Sequence, residues 1–252
     1  MMIDDKPLVS CVVATKNRAH LIKAMLHSLR HQTYDNWEAI IVQDWTEDWT
    51  NFVVECVADK RIHLYSNEGK GKSAAMNLAK RWIKGKYVCV FDDDDIMVPC
   101  KLEKSVQMME ETGADFGYSA RYTHLLNNQI VYTPTRRFEM MDHLEKPMMG
   151  FGSIITTKEL FDKIEWDEKL LASLDFDWIT KVAMTNPTMA YTQIPLYIWR
   201  NHLDSITYEN NVLQKMMYQK VKRKAKRDMK KLEKDKKPLD IKVIQWPKEE
   251  DS

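Results

Sequence analysis

Four aspartates in a row, Asp92 to Asp95, follow the apolar run Tyr87-Val88-Cys89-Val90-Phe91. A run of β-branched and aromatic residues reads as a strand buried on both faces. The carboxylates therefore sit at a strand end, within about 10–13 Å of extended backbone. Like charges this close repel, and no structural need calls for four. A divalent cation reverses the sign of that energy, and hard oxygen ligands suit Mg2+ or Mn2+. In an open α/β sheet, ligands bind beyond the carboxyl ends of the strands. The chemical reading is a metal site in a crevice; the alternative is a solvated acidic turn that caps the next helix.

Other polar groups fall at comparable places. Glu68-Gly69-Lys70-Gly71-Lys72-Ser73 is too short for a P-loop, because Ser66 stands where that motif needs its first glycine. A Gly/Lys loop that opens a helix can still meet a phosphate through backbone N–H groups and Lys72. Asp44 ends the run Ala39-Ile40-Ile41-Val42-Gln43, where a carboxylate either accepts hydrogen bonds from a ribose or base or forms the turn. Asp175 and Asp177 open a helix, where Asp is a cap or, if a hydroxyl must be activated, a general base. His202 lies in a polar loop after an aromatic strand, as a structural residue or a ligand for metal or diphosphate.

The elements that would position these groups alternate. Strands are expected at Leu8–Ala14, Trp37–Val42, Ile62–Tyr65 and Tyr87–Phe91, and helices at Ala19–His31, Trp49–Ala58, Ser73–Lys84 and Pro99–Glu111. This βαβα order implies a parallel sheet covered on both faces, with right-handed crossovers. The second half is less regular. Strands are expected at Asp115–Thr123, Gln129–Thr133, Phe151–Thr156 and Met189–Trp199, a helix at Leu174–Met184, and a long charged helix from Val212 to about Lys236 that Pro238 stops, followed by a loose tail. Glycine is scarce, with seven in 252 residues, so each position carries weight. Gly85 and Gly113 are expected to be helix caps, Gly117 a close-packing point, and the pairs Gly69/Gly71 and Gly150/Gly152 backbone close to a ligand.

No stretch reaches the ~18 apolar residues of a membrane span, and MMIDDKPLVS does not read as a signal peptide. Cys11, Cys56, Cys89 and Cys100 are scattered, as in a reduced, cytoplasmic chain. The net charge of +1 hides an asymmetry. Lys220–Lys237 holds 11 Lys/Arg against 3 Asp/Glu, a net of +8, so the remainder carries −7. That basic segment is a solvated helix or meets something anionic, either nucleic acid or a membrane surface.

Five segments in order, Val9–Arg18, Ser28–Glu38, Ile40–Asp44, Gly71–Asn77 and Phe91–Asp95, resemble a family 2-type glycosyltransferase of the GT-A fold. The second half matches only around Asp175 and His202. The resemblance implies an α/β, Rossmann-like, mostly parallel sheet flanked by helices, with a basic C-terminal helical extension. It implies a domain over 7–207, with a nucleotide-sugar half (7–111) and an acceptor half (112–207), then an extension over 208–252. Ala14, Thr15, Lys16, Asn17, Arg18, Asp44, Lys72, Asp92 and Asp93 would hold the donor. Asp92-x-Asp94 would be the metal motif for Mn2+ or Mg2+, with Asp94 the more direct ligand and His202 in a segment closing over the donor. Asp175 would be the base of an inverting transfer from a nucleotide sugar, expected to be a UDP-sugar. Departures are Lys16 for a common aromatic, Gln43 for a common Asp, Met76 for a common Arg, and Leu174 for an acidic residue. The expected acceptor is a glycan or lipid-linked sugar, on a cytoplasmic or membrane-peripheral enzyme. Two alternatives remain open: a nucleic-acid base as acceptor, reached through Lys220–Lys237 and aromatics such as Trp45 and Trp49, or a non-catalytic sugar-nucleotide binder.

Overall fold

A computed structural model of the chain describes residues 6–44, 48–68, 71–202 and 211–247. Expectations for the first five residues, Trp45, Gly69, Lys70, and residues 203–210 and 248–252 lie outside the described residues.

The first half is a run of βα units: β1 (Val9–Thr15), α1 (Ala19–Arg30), β2 (Trp37–Gln43), α2 (Thr50–Val57), β3 (Ile62–Ser66), α3 (Gly71–Ala79) and β4 (Tyr87–Asp92). These strands lie side by side as β3-β2-β1-β4, all parallel. Their residues alternate between two cores, as the period of 2 demands. Val12, Ile40, Val88 and Val90 face one core, while Cys11, Val13, Ile41 and Phe91 face the other. Ile22, Met25, Leu26 and Leu29, spaced as one face of a helix, close the second core from α1. Cys11 and Cys89 are free and buried side by side in adjacent strands.

The second half is mixed in direction. It comprises β5 (Ile96–Met97), α4 (Lys101–Thr112), β6 (Phe116–His124), β7 (Ile130–Thr133), α5 (Met140–Glu145), β8 (Ile154–Thr157), α6 (Lys158–Lys163), α7 (Leu174–Ala183), β9 (Met189–Arg200), α8 (Asn211–Lys234) and β10 (Val243–Gln245). The short β8 runs antiparallel to both β4 and β6. It joins the parallel half to a mixed half, giving the order β10-β9-β6-β8-β4-β1-β2-β3. The cleft described below opens around this junction.

Three expectations need correction. The helix expected over Ser73–Lys84 ends at Ala79, and Gly85 is not a left-handed cap. A Cβ on Gly85 would meet Leu8 O at 2.6 Å, and its N–H donates to Ser10 Oγ at 2.8 Å. The residue is glycine because two backbones pass too closely for a side chain. Gly113 does cap α4 with φ +62°. Second, Phe151–Ser153 is a 3-10 turn, and the strand begins only at Ile154. Third, the chain after Pro238 is not loose. β10 adds to β9 in parallel, and Trp246 is buried, its Nε1 donating to Glu111 Oε2 at 2.6 Å. Apolar Leu239, Ile241 and Val243 alternate with polar Asp240 and Lys242 here, a period-2 pattern that fits the strand.

Removing a buried indole leaves a cavity. Trp246→Ala should lower unfolding free energy by about 3–5 kcal/mol in urea titration. A change under about 1 kcal/mol would mean that β10 contributes nothing to the sheet's stability.

Candidate functional site

The sheet's carboxyl edge gathers the groups singled out above. Asp92 ends β4, and Asp93 to Asp95 form the turn into β5. Carboxylate oxygens of Asp92, Asp94 and Asp95 lie within 4.8 Å of one another. Two cationic side chains from other elements pair with carboxylates of this turn. Arg18, just before α1, donates from Nη1 to Asp93 Oδ1 at 2.9 Å and to Asp94 Oδ2 at 2.8 Å. Lys72, in the first turn of α3, donates from Nζ to Asp92 Oδ1. His202 Nε2 lies 3.0 Å from Asp94 Oδ2. Arg200, not anticipated from the sequence, donates its backbone N–H to Asp95 Oδ1 at 3.0 Å and its Nε to the carbonyl of Asp94.

Burial and mutual repulsion set the ionisation. Burial raises the pKa of Asp93, and the guanidinium of Arg18 opposes it. Asp95 is pushed well above the usual carboxylate range, by burial first and then by the charges of Asp92 and Asp94. Burial works against the charged forms of Arg18 and Lys72, yet both end above their ordinary values because the aspartates beside them outweigh it. Four acids and the cations around them thus form one coupled unit. Its oxygen donors, clustered tightly enough to surround one ion, fit a hard divalent cation. Asp95, missing from the ligand set drawn from the sequence, belongs to this cluster, and His202 meets it through Asp94.

The end of β1 borders the same edge. Ala14 is half-buried, Thr15 is buried, and Lys16 and Asn17 are exposed. Asn17 adopts φ +54°, a left-handed conformation that Asn tolerates better than most residues and that turns the chain so that Arg18 can reach the aspartates. Asp44 is buried and heavily bonded. It accepts from Asn67 Nδ2 at 2.7 Å, from Gly71 N at 2.9 and 3.1 Å, and from Lys16 Nζ at 3.1 Å. Asp44 therefore ties β2 to the start of α3 and so to Lys72. Gly71 has φ +86°, which lets its N–H turn toward that carboxylate.

A cleft of about 580 Å³ joins this edge to the second half, with Asp92, Asp95 and Asp175 in its wall. Ser173 before α7 has φ +58°, a strained left-handed residue where the chain turns into the helix. Asp175 Oδ1 accepts the Phe176 N–H at 2.8 Å, so one oxygen makes a local cap. Burial raises the Asp175 pKa; the Phe176 N–H opposes this, and Asp92 adds to it. Asp177 is instead committed to an ion pair with Lys181 at 2.6 Å and is a structural residue. The far wall carries Arg121, Arg136, Lys146 and Trp199, with the Arg121 guanidinium 5.2 Å from the Trp199 ring centre. No sequence spacing marked these residues: pairing of β6 with β9 brings Arg121 to Trp199, and the loops around α5 bring Arg136 and Lys146. Trp49, considered for stacking on bases, is exposed and sits edge-on to Phe52 at 6.1 Å.

The Gly150–Gly152 turn forms the roof. Lys101 is fully buried and donates to Gly152 O at 2.8 Å, between the rings of Phe91 and Tyr197. Burial lowers its pKa. A Cβ on Gly152 would lie 2.4 Å from the Tyr197 ring and 3.1 Å from Asp95 Oδ2, whereas one on Gly150 would find only Asp175 Oδ2, at 3.8 Å.

A family description named Glycosyl transferase family 2 matches residues 10–178. The chain belongs to that family. Among its relatives is the Escherichia coli UDP-Glc:alpha-D-GlcNAc-diphosphoundecaprenol beta-1,3-glucosyltransferase WfgD, 38% identical over 128 residues, which are 50% of each chain. A glycosyltransferase of Methanocaldococcus jannaschii is 31% identical over 198 residues, 71% of this chain and 66% of that one. The chain thus spans half the length of WfgD. In fold it is similar to S. aureus TarS 1-349 in complex with UDP-GlcNAc, with TM-score 0.69 and 18% identity over 80% of this chain and 60% of that one. It is also similar to the Pyrobaculum calidifontis mannosyltransferase PcManGT in complex with GDP-Man and Mn2+, with TM-score 0.67 and 19% identity over 88% and 65%. The fold is thereby the GT-A type. No described helix is long and apolar enough to cross a membrane.

The two roof glycines separate space from mere proximity. Gly152→Ala should cost about 1–3 kcal/mol by overpacking against Tyr197, while Gly150→Ala, at an extended residue with room for a methyl, should change stability by less than about 0.5 kcal/mol. Urea titration of the two variants checks this; equal losses would mean the roof is not packed as described.

Proposed function

We propose that this glycosyltransferase moves a sugar from a nucleoside diphosphate, read as UDP, to an acceptor hydroxyl with inversion, using Asp175 as the base. The observation that carries this reading is the shared cleft: Asp175 faces the acidic turn that ends β4. Residues 7–111 are read as the donor half and 112–207 as the acceptor half. The UDP reading draws on WfgD, whose name gives UDP-Glc as donor and a β linkage as product. A single displacement on an α-linked donor yields that linkage.

The donor's diphosphate is read against Asp92, Asp94 and Asp95, with Arg18, Lys72 and His202 around it. A Mn2+ or Mg2+ ion held by those oxygens supplies Lewis-acid stabilisation of the departing diphosphate. Lys72 and Arg18 place positive charge where the leaving group's charge develops. Lys16, the exposed partner of Asp44, is the contact most easily exchanged for a nucleotide. Asp175 Oδ2 takes the acceptor hydroxyl's proton as the oxygen attacks the anomeric carbon from the face opposite the diphosphate. Burial of Asp175 raises its proton affinity toward that task. The acceptor is read as a sugar carried on a lipid diphosphate, of the kind WfgD's name states, with the cationic wall of Arg121, Arg136 and Lys146 beside it.

Two results test this. Asp175→Asn should retain UDP binding and lose about 10²–10⁴ in turnover. In the parent enzyme, the acid limb of kcat/KM should lie above the ordinary value of 3.8, because activity requires the ionised base; an active Asn variant would overturn the assignment. In thermal-shift titration, UDP-sugars should stabilise the protein more with Mn2+ than without, and Asp92→Asn with Asp94→Asn should remove the metal-dependent part. A UDP shift equal in EDTA and Mn2+ would contradict the role given to the acidic turn.

A further inference from the structure

The helix α8 is built to face two environments. Its inner side is packed: Val221 and Ala225 are buried, Tyr218 donates to Leu144 O at 2.7 Å, and the Tyr218 ring lies 4.5 Å from Phe176. One flank is tied to α5, where Lys222 and Lys226 both reach Glu145. The outer side is different. From Val212 to Lys231 the exposed positions are Val212, Met216, Gln219 and seven cations: Lys215, Lys220, Arg223, Lys224, Arg227, Lys230 and Lys231. No carboxylate is exposed in that stretch. Asp228, the acid within it, is half-buried and meets Arg227 at 3.6 Å. The cations from Lys215 to Lys231 extend over about 24 Å of straight helix.

We infer that this outer face of α8 docks on an anionic lipid bilayer. Each Lys or Arg near such a surface is attracted to phosphate headgroups within about a Debye length. At the leading end of the same face, Val212 is 74% exposed and Met216 is 62% exposed. Apolar side chains on a basic helical face gain by entering the headgroup region; a phosphate backbone offers them nothing comparable, and this sets the bilayer ahead of a nucleic acid. Position adds a further argument. Ser173 Oγ donates to Gln214 O at 3.1 Å, so the start of α8 is fastened two residues from Asp175. Lys146, which lines the cleft, directly follows Glu145, the anchor of α8. A docked α8 therefore holds the cleft at the bilayer surface. The docking stands on α8 alone; its use for a lipid-carried acceptor rests on the function proposed above.

The test is flotation of the full chain with vesicles of phosphatidylcholine, alone or with about 30 mol % phosphatidylglycerol. The protein should float only with the anionic vesicles and should be released by high salt. Arg223→Glu with Arg227→Glu should lower the bound fraction at least about tenfold, and Met216→Ser should lower it by a smaller factor. Lys104→Glu, on α4 away from this helix, should have no effect, and all variants should keep the parent's melting temperature. Equal flotation with both vesicle types, no flotation at low salt, an unchanged Arg223/Arg227 variant, or tighter binding to a DNA or RNA duplex than to the anionic vesicles would each overturn the inference. Because flotation needs no donor or acceptor, it succeeds or fails independently of the catalytic reading.

Discussion

Carboxylate oxygens of Asp92, Asp94 and Asp95 crowd within 4.8 Å of one another at the end of β4. Two unit charges at that separation repel by about 3.5 kcal/mol at an effective dielectric constant near 20. Three such pairs, with Asp93 buried alongside, would be a heavy burden on a domain whose whole stability is about 5–15 kcal/mol. Cations delivered from elsewhere in the chain make the turn tolerable. Arg18 arrives from the end of β1 and Lys72 from the start of α3. Much of the first half can be understood as the means of holding those two cations in place. The left-handed Asn17 aims Arg18, and the Asp44–Gly71 bonds fix the helix that carries Lys72. The same unit suits the proposed role, since a cluster of acids and cations poised together could exchange internal pairs for a metal ion and a diphosphate without being reassembled.

The second half supplies the opposite wall. β8 reverses direction against β4 and places the Gly150–Gly152 turn over the acids, and buried Lys101 pins that turn through one carbonyl. α7 then brings Asp175 to the cleft on a strained entry at Ser173. Such strain persists only where surrounding packing enforces it, here through Phe176 and Trp178 in the core and α8 laid across the outside. The C-terminal region is thus part of the support of the site: α8 braces α5 and α7, and β10 closes the sheet beyond β9.

Legibility followed chemistry and period. The central strands were readable because β-branched and aromatic runs have few other uses, and Asp92–Asp95 stood out because four adjacent acids at a strand end are costly without cations beside them. Arg18, Lys72, Asp175 and His202 were marked by their place beside elements, and three of them touch the acidic turn directly while Asp175 shares its cleft. What escaped was whatever depends on contacts between distant segments. Arg121 and Trp199 meet only through the irregular pairing of β6 with β9, and Arg136 joins them in the cleft wall from the loop after β7. Arg200 meets the turn through its backbone N–H and its Nε alike, from a strand distant in sequence. Gly85 reads as a helix cap only if the helical pattern runs on to Lys84, whereas the helix ends at Ala79; its constraint is the β1 backbone, which is distant in sequence. β10 escaped because its three residues make a short strand, even though the residues leading into it alternate; one buried tryptophan secures them.

The central claim is that the acidic turn and its attendant cations hold a divalent ion against a nucleoside diphosphate. Crystals grown with UDP and Mn2+, measured for anomalous scattering at the manganese edge, address it most directly. The expected result is one manganese peak bonded to oxygens of Asp92 or Asp94 and to the diphosphate, with Lys72 and Arg18 turned toward the phosphates. UDP bound elsewhere, or bound at this edge with no manganese beside the aspartates, would contradict it.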